Sequence, residues 1–272
     1  MAYEWISMTT DYGVDDGLVA ACKGVIARFA PQVRVIDITH TVPPQDVRYG
    51  ARVMAHTVPF LPPAVHLAMV DPGVGTGRRG LALVAAGGML VGPDNGLLVP
   101  AALALGDIEA AYDLANPEYW LPTVSPTFHG RDLFAPVAAH LALGVPPDKL
   151  GSALDLASLV RLPAPQTRTR GGRLETEVLS VDRFGNVQLA AGSADLASLG
   201  LQPPTRVRLR VDMVTVEATL GSTFNDVPAG ALLSYVDSAG LVALAVNGGS
   251  AAARLGISAG TPVELEQATT GI

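Results

Sequence analysis

An aspartate at the end of a buried strand and an arginine seven residues later form the first candidate reactive pair. Residues 65–80 begin as an apolar run typical of a buried strand and then turn at Pro72, which removes a backbone donor and fixes φ. Asp71 ends this predicted strand, and Arg78 follows on the far side of a short glycine-rich loop. Because open α/β sheets place their ligand chemistry at strand ends, the pair predicts a catalytic site. The alternative is a structural ion pair.

Three further motifs carry candidate side chains. Asp11 and Asp16 lie at a predicted strand-to-helix turn, where carboxylates either bind a ligand or cap the helix. His129 precedes a predicted helix, whose N-terminal dipole disfavours the imidazolium; a structural histidine is the alternative. Asp182 and Asn186 flank an aromatic residue in the second half of the chain, where they bind a ligand or simply form a strand-ending turn.

Other patterns point away from cofactor and metal chemistry. Gly75–Gly80 matches the literal GxGxxG string, but strand-like sequence follows it where a dinucleotide-binding helix should begin. Cys22 is the single cysteine, which excludes intrachain disulfides and cysteine-based zinc clusters. No dense group of His, Asp and Glu is visible in the sequence, so we expect no metal.

Composition indicates a folded, acidic protein. The 272 residues are 49% hydrophobic and 16% charged, with a net charge of −7. This balance disfavours disorder, nucleic-acid binding and anionic membranes. No apolar run reaches the length of a spanning helix, and the N-terminus lacks the pattern of a signal peptide. We therefore expect a cytoplasmic protein.

Hydrophobic periodicity predicts an α/β first half. Strands are expected at 4–10, 33–38 and 65–71, helices at 15–29, 46–58, 97–105 and 131–143, and a hairpin at 81–86 and 89–92. Strands that alternate with helices favour parallel pairing.

In the second half of the chain, the sequence pattern is typical of short strands, and these predict a small β-barrel or a sandwich. These strands are expected at 173–181, 186–190, 205–211, 213–220, 231–236 and 241–246. Residues 162–172 are rich in Pro and Gly and predict a linker. The predicted organisation is an N-terminal α/β domain over 1–161 and a C-terminal domain over 173–272.

Taken together, the motifs resemble a known family over nearly the whole chain. They occur in order at 10–13, 23–24, 37–40, 70–76, 92–96, 127–132, 182–186 and 245–249. Their sequences are TDYG, KG, DITH, VDPGVGT, GPDNG, TFHGRD, DRFGN and AVNGG. The chain resembles the S-adenosyl-L-methionine (SAM) hydrolases, or SAM hydroxide adenosyltransferases, relatives of the SAM-dependent fluorinase and chlorinase.

The resemblance implies a fold, an activity and an assembly. The fold is an N-terminal α/β (Rossmann-like) domain followed by a small C-terminal β-barrel. The activity is hydrolysis of SAM to adenosine and L-methionine by attack of water on C5′, with SAM as substrate and no cofactor. The assembly is a homotrimer, in which each ligand lies between the N-domain of one subunit and the C-domain of its neighbour.

The resemblance also implies site roles, carried over position by position. Asp71, Arg78 and His129 would activate the water, and Asp71 and His129 are both candidates for the proton acceptor. Asp11 would hold the ribose hydroxyls. The remaining contacts are Asp16, Asp182 and Ser238 at the methionine end, Asn186 and the backbone around Val246 and Asn247 at adenine, and Phe184 and Tyr235 as apolar walls.

Alternative functions remain open from sequence. A SAM-dependent halogenase is disfavoured, because the halogenase relatives carry a tyrosine where Asp71 stands, and because the fluorinase has an inserted loop that is not seen here. A non-catalytic protein that binds SAM or a nucleoside would not need Asp71, Arg78 and His129 together. A dinucleotide-dependent oxidoreductase lacks its helix after Gly80.

Overall fold

The computed structural model describes residues 2–268, and the chain forms two compact units that divide after Leu162. The segment 162–172, predicted as a linker, contains a short exposed strand, β7 (Thr167–Arg170). Within the described residues, no helix combines the length and apolar character needed to cross a membrane.

The first unit contains one six-stranded mixed sheet. Its strands are β1 (Trp5–Thr10), β2 (Arg34–Thr39), β3 (Ala64–Met69), β4 (Gly80–Ala85), β5 (Gly88–Pro93) and β6 (Ile108–Asp113). Their order across the sheet is β2-β1-β3-β5-β4-β6. The pairs β1–β2, β1–β3 and β3–β5 are parallel, as the alternation of strands and helices predicted. The predicted hairpin makes β4 antiparallel to both of its neighbours.

Helices cover both faces of this sheet. They are α1 (Leu18–Phe29), α2 (Val47–Thr57), α3 (Val99–Ala104) and α4 (Ala135–Ala142), the last preceded by a π-helical turn at Gly130–Phe134. Along β3, Leu67 and Met69 pack with α1 and α4, whereas Ala68 and the following Val70 pack with α2 and α3. Both faces of β3 are therefore buried, which explains its uninterrupted apolar sequence.

Three local expectations for this unit need correction. Helix α1 begins at Leu18 rather than at 15, so its first turn holds no acidic residue. Strand β3 ends at Met69, and Asp71 lies two residues beyond it. Strand β6 was not predicted, because four of its six residues are exposed or only partly buried and two of the six are alanine. As predicted, a strand and not a helix begins at Gly80, where a dinucleotide-binding helix would have to start.

The second unit is a closed seven-stranded barrel. After β7 come β8 (Arg173–Val181), β9 (Val187–Gly192), β10 (Thr205–Val211), β11 (Val214–Leu220), β12 (Leu232–Val236), β13 (Leu241–Val246) and β14 (Pro262–Gln267). The ring runs β14-β10-β11-β12-β13-β9-β8 and closes because β14 also pairs with β8. Two short helices, α5 (Ser193–Ser198) and α6 (Ala251–Leu255), pack against its apolar core. The predicted barrel is confirmed; the closing strand β14 was missed.

Candidate functional site

The candidate site of the first unit lies where strand order reverses. In the sheet, β2 lies on one side of β1 and β3 lies on the other side, and Thr10 of β1 pairs with Met69 of β3. Such a switch point opens a crevice at the carboxyl ends of the two strands. Asp11 follows β1 and Asp71 follows β3, so the topology brings these two sequence-predicted residues to one edge.

The loop from Asp71 to Arg78 is folded by two consecutive turns. The amide of Val74 donates to the carbonyl of Asp71 at 3.2 Å, and the Thr76 hydroxyl donates to the carbonyl of Gly73 at 2.7 Å. Gly75 has φ +77°, and a Cβ there would lie 2.5 Å from the carbonyl oxygen of Pro126. Only glycine tolerates both the positive φ and the close approach to Pro126. This approach packs the loop against the segment that precedes His129.

Asp71 and Arg78 form a two-point ion pair. Nε of Arg78 donates to Oδ1 and Oδ2 of Asp71 at 2.9 and 3.0 Å, and Nη2 also contacts Oδ2. Their side chains are only 10% and 11% exposed. The guanidinium lies 5.0 Å from the ring centre of Phe134, and Nη1 donates to the carbonyl of Arg79 at 3.2 Å. The pair predicted from sequence is therefore formed and shielded from water.

His129 completes this cluster. Its Nδ1 lies 3.2 Å from Nη2 of Arg78. A guanidinium can only donate, so Nδ1 accepts and the proton of the neutral ring is on Nε2. Burial and the Arg78 charge lower the pKa of His129. From the sequence, we expect the helix dipole to disfavour the charged form of His129. In the structure, burial and the Arg78 charge are the main causes of its lowered pKa.

Tyr12 encloses the cluster from the β1 side. Its ring meets Phe128 edge-on at 5.7 Å, and its hydroxyl lies so close to Gly130 that a Cβ there would be 2.1 Å away. Burial raises the pKa of Tyr12, so the phenol stays protonated at neutral pH. Sequence reasoning did not assign Tyr12 a role, although it lies inside the motif at 10–13.

Asp11 and Asp16 differ in what they hold. Oδ2 of Asp11 accepts the amide of Gln45 at 2.8 Å, which ties the loop after β2 to the loop after β1. Asp11 therefore does not cap α1. Oδ1 of Asp16 accepts the amide of Leu18 at 3.2 Å in a turn just before α1, whose N-cap residue is Gly17, and Asp16 is exposed.

The candidate residues of the second unit begin with a self-contained loop. Oδ1 of Asp182 accepts the amides of Phe184 and Asn186 at 2.8 and 2.9 Å, and Oδ2 accepts the side-chain amide of Asn186 at 2.8 Å. Gly185 has φ +82°, and its Cβ position is 2.0 Å from the Ser250 hydroxyl. Asp182 thus stabilises the turn that it belongs to, which is the structural alternative to ligand binding. The same bonds fix the orientation of the Asn186 side chain.

This loop borders an open cleft of about 680 Å³. The lining residues are Asp182, Phe184, Asn186, Phe224, Val246, Asn247, Gly248 and Gly249. Phe184 is 71% exposed, and the ring of Phe224 contacts Tyr235 at 5.4 Å. The structure therefore brings together most of the predicted adenine and wall residues and adds Phe224.

Of the predicted contacts, Asn247 lines the cleft but its polar groups bond within the wall, and Ser238 does not line it. Asn247 donates its side-chain amide to the carbonyl of Val227 at 2.8 Å, and its backbone pairs with Gly230 and Ala231. It therefore supports the cleft wall, next to the largely buried Val246. Ser238 lies on the exposed turn after β12 and is not among the described residues that line the cleft.

No group of three or more His, Cys, Asp or Glu within residues 2–268 is arranged to hold a metal ion. Cys22 is buried, and burial raises the pKa of its thiol to about 12.

Two family models match the chain. The N-terminal domain of SAM hydroxide adenosyltransferases matches residues 6–151, and the C-terminal domain matches residues 176–264. The chain belongs to the SAM hydroxide adenosyltransferase family. The family predicted from the ordered motifs is thus confirmed.

Relatives include both hydrolases and fluorinases. The chain is 57% identical to the (R)-S-adenosyl-L-methionine hydrolase of Salinispora arenicola over 94% of this chain and 95% of the relative. It is 32% identical to the fluorinase of an Actinoplanes species over 97% of each. That alignment extends over 291 positions, more than the 272 residues here, so the fluorinase has residues that this chain lacks.

A solved structure shares the fold of this family member. The crystal structure of an uncharacterized conserved protein from Thermotoga maritima superposes with a TM-score of 0.90 at 35% identity, covering 96% of this chain and 100% of that one.

Phe224 and Tyr12 are the site-lining residues to which the sequence analysis gave no role. The signal for Phe224 is an aromatic residue between two predicted strands, where a solvated turn is expected.

Proposed function

We propose that this chain hydrolyses SAM to adenosine and L-methionine by attack of water on C5′. Support comes from membership of the family, from relatives named as SAM hydrolases, and from one geometric observation. That observation is Arg78 placed between Asp71 and His129, with side-chain contacts to both. A protein that only bound the nucleoside would not need this shielded cluster.

The substrate determines what the cluster must supply. The sulfonium leaves as a neutral thioether, so the departing methionine needs no general acid. The nucleophile is the difficult part, because water at neutral pH attacks poorly unless it is deprotonated or placed in a positive potential. Arg78 supplies that potential as a fixed cation beside the reacting water.

The hydrogen bonds favour Asp71 as the proton acceptor. Nδ1 of His129 already accepts from Arg78, so protonating it would place two cations together. In our proposal the water proton passes to Asp71 as the oxygen bonds to C5′ and the C5′–S electrons go to sulfur. His129 holds Arg78 in place through its neutral ring. Asp71 later releases the proton to solvent.

Substrate contacts follow from the two sets of residues. We assign the ribose hydroxyls to Asp11 and adenine to the cleft at Asn186, Val246 and Asn247, with aromatic walls at Phe184, Phe224 and Tyr235. Asp16, Asp182 and Ser238 are assigned to the methionine end. Because these residues belong to different units, we further propose a homotrimer whose sites combine the first unit of one subunit with the second unit of another. The strand order and the switch point support a Rossmann-like description of the first unit.

The test is to incubate pure protein with each epimer of SAM at the sulfonium and to follow adenosine and methionine by chromatography. The relatives' printed name leads us to expect faster cleavage of the (R) form. Sedimentation at micromolar concentration tests the assembly, and a monomer that cleaves SAM would refute the trimer. Binding without cleavage of either epimer would refute hydrolysis and favour the binding-protein alternative.

Halogenation is the second candidate, since fluorinases are relatives. The Asp71 carboxylate disfavours it, because a halide beside an anion is repelled. Chloride or fluoride added to the assay should therefore give adenosine and no halogenated nucleoside.

A further inference from the structure

One turn, Asp94-Asn95, is hydrogen-bonded to the chain beside both partners of the catalytic ion pair. The turn directly follows β5. Asn95 reaches the residue before Asp71, and Asp94 reaches the residue after Arg78. The inference below rests on the proposed function, because it concerns how the Asp71–Arg78 pair is held for that reaction.

Strand order explains why such a support is needed. Asp71 follows β3 and Arg78 precedes β4, but β5 lies between these two strands. Neighbouring strands are about 4.8 Å apart, so the ion pair must join two chain segments roughly 10 Å apart. The loop crosses the end of β5, and the turn after β5 fills the gap beneath it.

Asn95 holds the Asp71 side of this gap. Its Nδ2 donates to the carbonyl of Val70 at 2.9 Å, while its Oδ1 accepts the amide of Leu97 at 3.1 Å. The first bond fixes the backbone at the point where β3 ends and the loop begins. The second bond keeps the turn itself folded. The two functions of Asn95 therefore use different atoms of one side chain.

Asp94 holds the Arg78 side. Its amide donates to the carbonyl of Arg79 at 2.9 Å, the same carbonyl that accepts Nη1 of Arg78 at 3.2 Å. Its carboxylate is 3% exposed and accepts Nε of Arg79 at 2.9 Å and the amide of Val160 at 3.0 Å. Arg79 extends further to the carbonyl of Ser158 at 2.7 Å. The backbone before β4 is thus tied on two sides.

We infer that Asp94 and Asn95 are positioning residues for the reaction: they set the separation and orientation of Asp71 and Arg78 without touching the substrate. Misplacing a reacting group by about 1 Å can lower a rate by about a hundredfold. Loosening the turn should therefore reduce turnover far more than substrate binding, because the proposed SAM contacts lie elsewhere.

The variant Asn95→Asp separates positioning from folding. It keeps an oxygen for the Leu97 amide but replaces the donor to Val70 with an anion. Asn116 provides a matched control, because its Nδ2 donates to the carbonyl of Lys149 at 2.9 Å and its Oδ1 accepts the Glu118 amide at 3.1 Å. Asn116→Asp makes the same atomic change at another partly buried asparagine, whose two bonds are more exposed than those of Asn95.

We expect Asn95→Asp to lower kcat for SAM cleavage at least about tenfold with KM within about twofold, and Asn116→Asp to change neither. Thermal unfolding of both variants is measured in parallel, and kcat is compared at a temperature where both are folded. Equal kcat in the two folded variants would overturn the inference. If Asn95→Asp fails to fold, Asn95→Ala is compared with Asn116→Ala under the same criteria.

A second measurement is independent of activity. The Nε–H resonance of Arg78 in ¹⁵N-labelled protein reports its bond to Asp71. It should move in Asn95→Asp and stay fixed in Asn116→Asp. If the wild type does not cleave SAM, the proposed function fails, while this signal still decides whether the turn positions the pair. An unchanged resonance in Asn95→Asp would refute the positioning role whatever the activity.

Discussion

Replacing Asp71 by Asn tests the chemistry most directly, because the change keeps the shape and removes the charge. In the native protein the carboxylate accepts from Nε and Nη2 of Arg78. An amide offers one acceptor oxygen and turns a donor toward the guanidinium. Arg78 would keep its contacts to Phe134 and to the carbonyl of Arg79, so we expect it to stay near its native position.

Two effects of Asp71→Asn can be estimated. Losing the proton acceptor should slow cleavage by roughly a hundredfold, or about 2.7 kcal/mol of barrier. Losing a shielded charge partner should lower the free energy of unfolding by about 2–3 kcal/mol, since both side chains are about one-tenth exposed. The two effects are similar in size but are measured separately.

The assay is single-turnover cleavage of SAM at a temperature where both proteins are fully folded, with urea unfolding measured in parallel. Glu266→Gln is the control, because Glu266 accepts from Arg173 at 2.7 Å and from Arg208 at 3.3 Å on the barrel. It removes an arginine-paired carboxylate without touching the cluster, so cleavage should stay within about twofold. Asp71→Asn cleaving at near wild-type rate would refute the proposed role and leave His129 as the proton acceptor to test.

Further predictions concern four other residues. Gly75→Ala should lower the free energy of unfolding by about 1–2 kcal/mol and slow cleavage, because φ at this position is +77° and the added Cβ would lie 2.5 Å from a backbone oxygen. Gly171→Ala is the control for backbone strain without a clash, because Gly171 has φ +57° and no atom within 4 Å of its Cβ position. Asn186→Ala should raise KM and leave kcat nearly unchanged, and the reverse pattern would remove it from the binding cleft. Because burial and Arg78 lower the pKa of His129, kcat should stay level as pH falls to 6.5 and decline only below it; a decline centred at 6.5 or above would contradict this. Burial lowers the pKa of His66 from 6.5 to about 4, so the unfolded chain binds a proton at this histidine before the folded protein does. The free energy of unfolding should therefore fall by about 3 kcal/mol between these two pH values. Urea unfolding of His66→Gln should not show this loss.

The features predicted correctly depend on short stretches of sequence. The Asp71–Arg78 pair could be predicted because proline and glycines confine both residues to one short loop. The hairpin of β4 and β5 could be predicted because two apolar runs flank adjacent glycines. Strands β8, β9 and β10 alternate buried residues with more exposed ones, a pattern that is visible in their sequence.

The features that were missed depend on contacts distant in sequence. The partner of Asn95 lies 25 residues earlier, and Arg79 reaches Ser158, 79 residues later. Nothing in the local pattern encodes either bond. The later start of helix α1 is a local exception, because Asp16 lies before the helix and accepts the amide of Leu18 two residues later. Tertiary pairing, not local propensity, determines the contacts of Asn95 and Arg79.

The insertion of β5 between β3 and β4 has a consequence for motion. Because Val70 and Arg79, on either side of the loop from Asp71 to Arg78, are bonded to the turn that follows β5, the two ends of the loop cannot separate without breaking contacts of the central sheet. Movement of these ends should therefore cost the free energy of sheet disruption. The amide of Asp94, which donates to the carbonyl of Arg79, would report this by exchanging with solvent deuterium as slowly as the amides within β5 itself.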